Sequence, residues 1–81
     1  MSNTFHLVVA SVAETKFDGD AISATVPGTS GEFTVLAHHE PFVSILKKGV
    51  VTVKATAGAE RKFEIENGVI EVSNNRAIVL L

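Results

Sequence analysis

Between its glycines the chain alternates with a period of two. Ile22, Ala24 and Val26 alternate with Ser23 and Thr25, Val51, Val53 and Ala55 with Thr52 and Lys54, and Phe63 and Ile65 with Lys62, Glu64 and Glu66. Successive side chains of an extended strand point to opposite faces, so each run reads as a strand with one face on a core. No stretch of ten or more residues carries the 3, 4, 7 apolar spacing of an amphipathic helix. The six glycines, at 19, 28, 31, 49, 58 and 68, stand beside turn-forming residues or at the edges of apolar runs and cut the chain into short segments. The expected class is all-β.

Many short strands separated by turns predict a flattened antiparallel β-sandwich of two packed sheets, or else a flattened barrel, in a single domain over residues 1–81. The alternation predicts that Ile22, Ala24, Val26, Phe33, Val35, Val51, Val53, Phe63, Ile65, Ile70, Val72, Ile78 and Leu80 point inward. Asn67-Gly68 lies between two apolar runs and predicts a tight hairpin with both residues at positive φ. Asn74-Asn75 opens a last strand, Ala77 to Leu81. Phe5 to Ala10 and Val79 to Leu81 are apolar at nearly every position, as strands covered by a second layer are.

Composition narrows function. Without cysteine there is neither a disulfide framework nor a thiolate zinc site. A net charge of −2, with seven Lys and Arg scattered and only Lys47-Lys48 and Arg61-Lys62 adjacent, leaves no basic stripe for nucleic acid. No apolar run approaches the roughly 20 residues of a membrane helix. Met1 to Thr4 lacks the charged and apolar regions of a signal peptide, so the expected location is the cytoplasmic side. Mean hydropathy is +0.31, which for so small a domain points either to an apolar surface awaiting a partner or to the Val and Ile of ordinary strands.

The densest polar chemistry lies in GEFTVLAHHEPF, residues 31–42. Neighbouring residues on a strand face opposite ways, so His38 and His39 cannot share one ion from a regular strand, and no metal site is expected. His39 and Glu40 as an acid/base pair would need a concave pocket, for which a thin Val- and Ile-filled domain has little room. Ser30, Ser44 and Thr34 carry no nucleophile motif, and Pro27 to Gly31 has no lysine and leads into a strand, so it is no phosphate cradle. The remaining possibility is a loop, a strand and a turn that present Glu32, His38 and His39 at an end of the sandwich. The residues alone leave open an interaction module with a peptide or small-molecule ligand, and, behind it, an unrecognised hydrolase.

In order and spacing, FHLVVAS, FDGDAISATVPGTSGEFTVL, HHEPFVSILKKGVV and NGVIEVSNNRAIVL resemble the N-terminal β-sandwich of the epsilon subunit of the F-type ATP synthase, from about Thr4 to Leu81. The resemblance implies a non-catalytic subunit of the rotor's central stalk, without a cofactor. It would bind the gamma subunit and sit on the c ring, coupling proton flow to ATP synthesis at the cytoplasmic face of the bacterial plasma membrane without inserting into it. By position it implies c-ring contacts at Glu32 and His39 and gamma contacts at Val43 and Ser44. Two positions depart from the family pattern: Ala37-His38 stands where the family has Pro-Gly, and Glu40 where it has a small residue, so the turn must be made differently. The family's C-terminal helical hairpin has no counterpart before Leu81, so neither ATP binding nor inhibition of hydrolysis is expected of these residues.

Overall fold

The computed structural model describes residues 3–81; Met1 and Ser2, the start of the segment searched for a leader, lie outside the described residues. The strands are β1 (Phe5–Ala10), β2 (Thr15–Gly28), β3 (Gly31–Leu36), β4 (Phe42–Leu46), β5 (Gly49–Ala55), β6 (Glu60–Ile65), β7 (Gly68–Ser73) and β8 (Arg76–Leu80). A single 3-10 turn, Thr56–Gly58, joins β5 to β6. No helix among the described residues is long and apolar enough to cross a membrane.

The long strand β2 serves both layers. Its first half pairs with β1, from Thr15 opposite Ala10 to Ala21 opposite Phe5. Its second half lies between β3 and β5, with Ala24 opposite both Val35 and Val53. One layer is therefore β3, the second half of β2, β5 and β6; the other is β4, β7, β8, β1 and the first half of β2. Gly28 pairs with Leu46 and joins the layers at one end. The ladders are antiparallel apart from β1 and β8, which run parallel, so one layer is mixed. Between the layers Leu7, Val9, Ile70, Val72, Ala77 and Val79 meet Ala24, Val26, Val35, Val51, Val53 and Ile65 in one buried cluster. Each fully buried Val, Leu or Ile contributes about 1.5–3 kcal/mol, which is how a thin core holds.

Most of the expected inward residues are in this cluster or, like Phe33 and Phe63, packed half-buried against it. Three expectations are corrected. Ile22 is 44% exposed. On β2 the step from Ala21 to Ser23 matches a single step on β5, from Ala55 to Lys54, so Ile22 is the extra residue of a β-bulge. An extra residue reverses the alternation, which places Ala21 inward before it and Ala24 and Val26 inward after it. It also bends the strand, which is what lets β2 leave one layer for the other.

On β8 the faces are opposite to those expected: Ala77 and Val79 are buried, Ile78 is half-buried and Leu80 is 56% exposed. The cause is the two-residue turn Asn74-Asn75, with φ of 51° and 57°, which sets Val72 opposite Ala77 and Ile70 opposite Val79. Asn67-Gly68, by contrast, makes no hairpin. β6 pairs with β5 and β7 with β4 and β8, neither residue has positive φ, and the dipeptide carries the chain between layers. Gly68 is needed for closeness instead, since a Cβ there would lie 2.7 Å from the Leu80 carbonyl oxygen.

Candidate interaction surfaces

The acidic turn is built on glycine. Gly28 and Gly31 face each other across Thr29 and Ser30 at the tip of the β2–β3 hairpin. Gly31 has φ of 132°, which a side chain would strain, and a Cβ on Gly28 would lie 2.8 Å from the Gly31 oxygen. Glu32 comes next as an exposed residue opposite Pro27, its side chain without a hydrogen bond or ion pair among the described residues.

The histidine turn lies at the other end of β3. From Glu32 to Leu36 the strand covers about 13 Å at roughly 3.3 Å per residue, so Glu32 and His39 occupy separate loops rather than the single rim expected. β3 ends at Leu36, and His38 sits in the turn beyond it at φ of 63°, a left-handed conformation in a residue other than glycine. Strand alternation therefore does not govern where the two histidines point. The His39 ring rests against Phe42 with centroids 4.9 Å apart, and Phe42 meets Phe33 edge-on at 5.4 Å. His39 Nδ1 lies 2.9 Å from the Glu40 carbonyl oxygen. A carbonyl can only accept, so Nδ1 carries the proton, and in the neutral ring Nε2 is left as an outward acceptor. Among the described residues no three of His, Cys, Asp and Glu converge as metal ligands would. A hollow of about 290 Å³ beside this turn is lined by Asn3, Ile22, Leu36, Ala37 and His38, a set with no serine, cysteine or carboxylate beside the imidazole.

A third surface is apolar. On β4, Val43 and Ile45 are 65% and 62% exposed, whereas Ser44 is half-buried on the opposite pleat beside Ile70. Ser44 therefore cannot share an outward contact with Val43; the residue that does is Ile45. Residues directly opposite on paired strands share a face, so Ile45, Val69, Leu80 and Ala10 form one row across β4, β7, β8 and β1. Val43, Glu71, Ile78 and Val8 form the row beside it. A contact of His6 Nε2 with Asp18 Oδ1, 2.8 Å, stands on β1 and β2 beside these rows. Sequence reasoning missed Ile45, Val69 and Leu80 as surface residues, although pairing back from a two-residue turn at Asn74-Asn75 would have turned Leu80 outward.

Comparison with known proteins agrees with this architecture. The family model for the ATP synthase delta/epsilon chain β-sandwich domain matches residues 4–81. The ATP synthase epsilon chain of Rhodopseudomonas palustris (strain BisB5) is 38% identical over 77 residues, covering 95% of this chain and 56% of that one. The ATP synthase epsilon chain of Wolbachia pipientis wMel is 36% identical over 78 residues, covering 96% and 68%. A chain in the mitochondrial ATP synthase of Euglena gracilis, solved as an OSCP/F1/c-ring assembly, has the same fold with a TM-score of 0.90 at 22% identity, covering 99% of this chain and 51% of that chain. This chain thus spans little more than half the length of the first of these relatives. From the sandwich and the matched sequence together, the chain belongs to the ATP synthase delta/epsilon β-sandwich family.

Proposed function

We propose that the chain acts as the β-sandwich of an epsilon subunit in the rotor of a proton-translocating F-type ATP synthase, linking gamma to the c ring. In this reading it binds rather than catalyses, lies peripherally at the cytoplasmic face of the bacterial plasma membrane, and helps couple proton flow to ATP synthesis. The names of the relatives motivate it; the observation that carries it is the apolar row Ile45, Val69 and Leu80, with Val43 beside it, on the outside of a folded domain. An outward apolar patch of this kind loses free energy to water until a partner covers it. Gamma is the partner assigned to this face, and the c ring to Glu32 and His39. Exposed ion pairs contribute little, so Glu32 tunes the c-ring contact while the apolar face supplies the affinity for gamma.

The test is calorimetric binding of the chain to purified gamma. Val43→Glu places a charge on the patch without touching the core, and it should weaken binding about tenfold or more while the melting temperature stays within a few degrees of wild type. Undiminished binding by a folded Val43→Glu variant would remove gamma from this face.

A further inference from the structure

The turn that carries His39 is held from a distant part of the chain. Asn75, in the β7–β8 turn, accepts a hydrogen bond at Oδ1 from the His38 backbone N–H, 2.8 Å, and donates one from Nδ2 to the Thr4 carbonyl, 2.9 Å. The orientation of the amide is not ambiguous, because a carbonyl oxygen can only accept and an N–H can only donate. The Asn75 carbonyl takes a third bond, from the His6 N–H at 3.2 Å. One residue thus ties the β3–β4 turn and the start of β1 to the β7–β8 hairpin.

His38 is the residue that needs holding. At φ of 63° it occupies a region that non-glycine residues enter at a cost, and its N–H is the group fixed by Asn75. Without that bond φ can return to negative values, and a change of this size at one residue re-aims the chain after it. The next residues are His39, whose ring leans on Phe42, and Glu40. The contrast with the Glu32 turn is plain: there glycine supplies the positive φ, here a remote asparagine stabilises it.

We propose that Asn75 is a positioning residue for the His38–Glu40 turn, setting the direction in which His39 meets the c ring. The second half of this statement rests on the c-ring reading under Proposed function; the first does not. Asn75→Gly suits the backbone at φ of 57° but removes both the acceptor and the donor, whereas Asn75→Asp keeps an acceptor for the His38 N–H and sets a second oxygen against the Thr4 carbonyl, which repels it.

The experiment is amide hydrogen exchange by NMR on the whole chain, with binding to detergent-solubilised c ring and to gamma measured on the same samples. In Asn75→Gly the His38 amide should exchange about tenfold faster, as loss of one hydrogen bond implies, while Val51 and Ile70 amides keep their protection. The variant should bind the c ring several-fold more weakly and gamma as before, and Asn75→Asp, which keeps an acceptor, should leave the His38 amide better protected than Asn75→Gly does. Unchanged exchange at His38 in Asn75→Gly would overturn the role of the acceptor. Should Asn75→Gly fail to fold, Asn75→Ala decides: wild-type protection of the His38 amide there, with the core intact, refutes it. If the turn loosens in Asn75→Gly but that variant and His39→Ala both bind the c ring like wild type, positioning of the turn stands and the c-ring reading falls.

Discussion

The two layers bury their inner faces alike, but their outer faces are arranged differently: Ile22, Leu36 and Val50 are exposed on the first without forming an apolar row, since Leu36 stands opposite Ser23 and Val50 opposite Glu64. Across β3, β2, β5 and β6 one outward row reads Thr34, Thr25, Thr52 and Lys62, with the Thr25 and Thr34 hydroxyls 2.9 Å apart. Across β4, β7, β8 and β1 the corresponding row reads Ile45, Val69, Leu80 and Ala10. Both rows cross strands joined by ladders, and both use the β-branched shapes that suit a pleated surface. Threonine meets the folding requirement of an outward strand position as well as valine does, and it is content in water. Isoleucine and valine in its place add nothing that the fold needs and leave methyl groups exposed. Folding alone therefore does not account for the apolar row, and the proposal that gamma covers it does.

The largest effect expected within the apolar layer separates its two sides. Ile70→Ala, on the buried side of β7, should cost about 2–5 kcal/mol in denaturant unfolding, and Ile45→Ala, on the exposed side of β4, within about 0.5 kcal/mol. Equal losses would mean that the outer row is core. The same comparison on β8 is finer, because the residues are neighbours: Val79→Ala should cost about 1.5–3 kcal/mol and Leu80→Ala much less, and the reverse order would shift the hairpin register by one residue. Binding then contrasts the layers. Ile45→Glu should weaken gamma binding about tenfold, close to 1.4 kcal/mol, whereas Thr52→Glu on the opposite layer should leave the titration unchanged. A matching loss from Thr52→Glu would show that charge anywhere on the domain, and not the apolar face, governs the interaction. The smallest effect belongs to Glu32→Gln, which should reduce c-ring affinity less than about threefold, with the difference fading as salt rises. Loss of gamma binding in that variant would exchange the assignments of the two surfaces.

Much of the fold was legible because period-two alternation reports burial directly. The inward placement of Val51 and Val53, and of Ile70 and Val72, needed nothing beyond it. Ile22 and Leu80 were misplaced for different reasons. At Ile22 a bulge inserts one residue and reverses the phase, and no residue in that stretch announces the insertion. At Leu80 the information was present, since Asn74-Asn75 is a two-residue turn and its pairing dictates the face, but Ile78 and Leu80 look as apolar as Ala77 and Val79. Of the candidate site, the Gly31–Glu32 turn could be read from a glycine placed before a carboxylate. Alternation alone sets Ser44 on the pleat opposite Val43.

By itself the sequence determined the strand content, most turn positions and the inner faces of strands such as β5 and β7, because these depend on neighbours one to four residues apart. Tertiary structure decided the rest. Asn67-Gly68 has the local chemistry of a hairpin, yet the chain crosses between layers there, since β7 gains more by pairing with β4 and β8 than by folding back on β6. The left-handed His38 is paired with Asn75 across 37 residues of chain, a contact that no local pattern encodes. The apolar outer face likewise exists only once four strands stand side by side: Ile45, Val69 and Leu80 are scattered along the chain and become one surface through the ladders that align them.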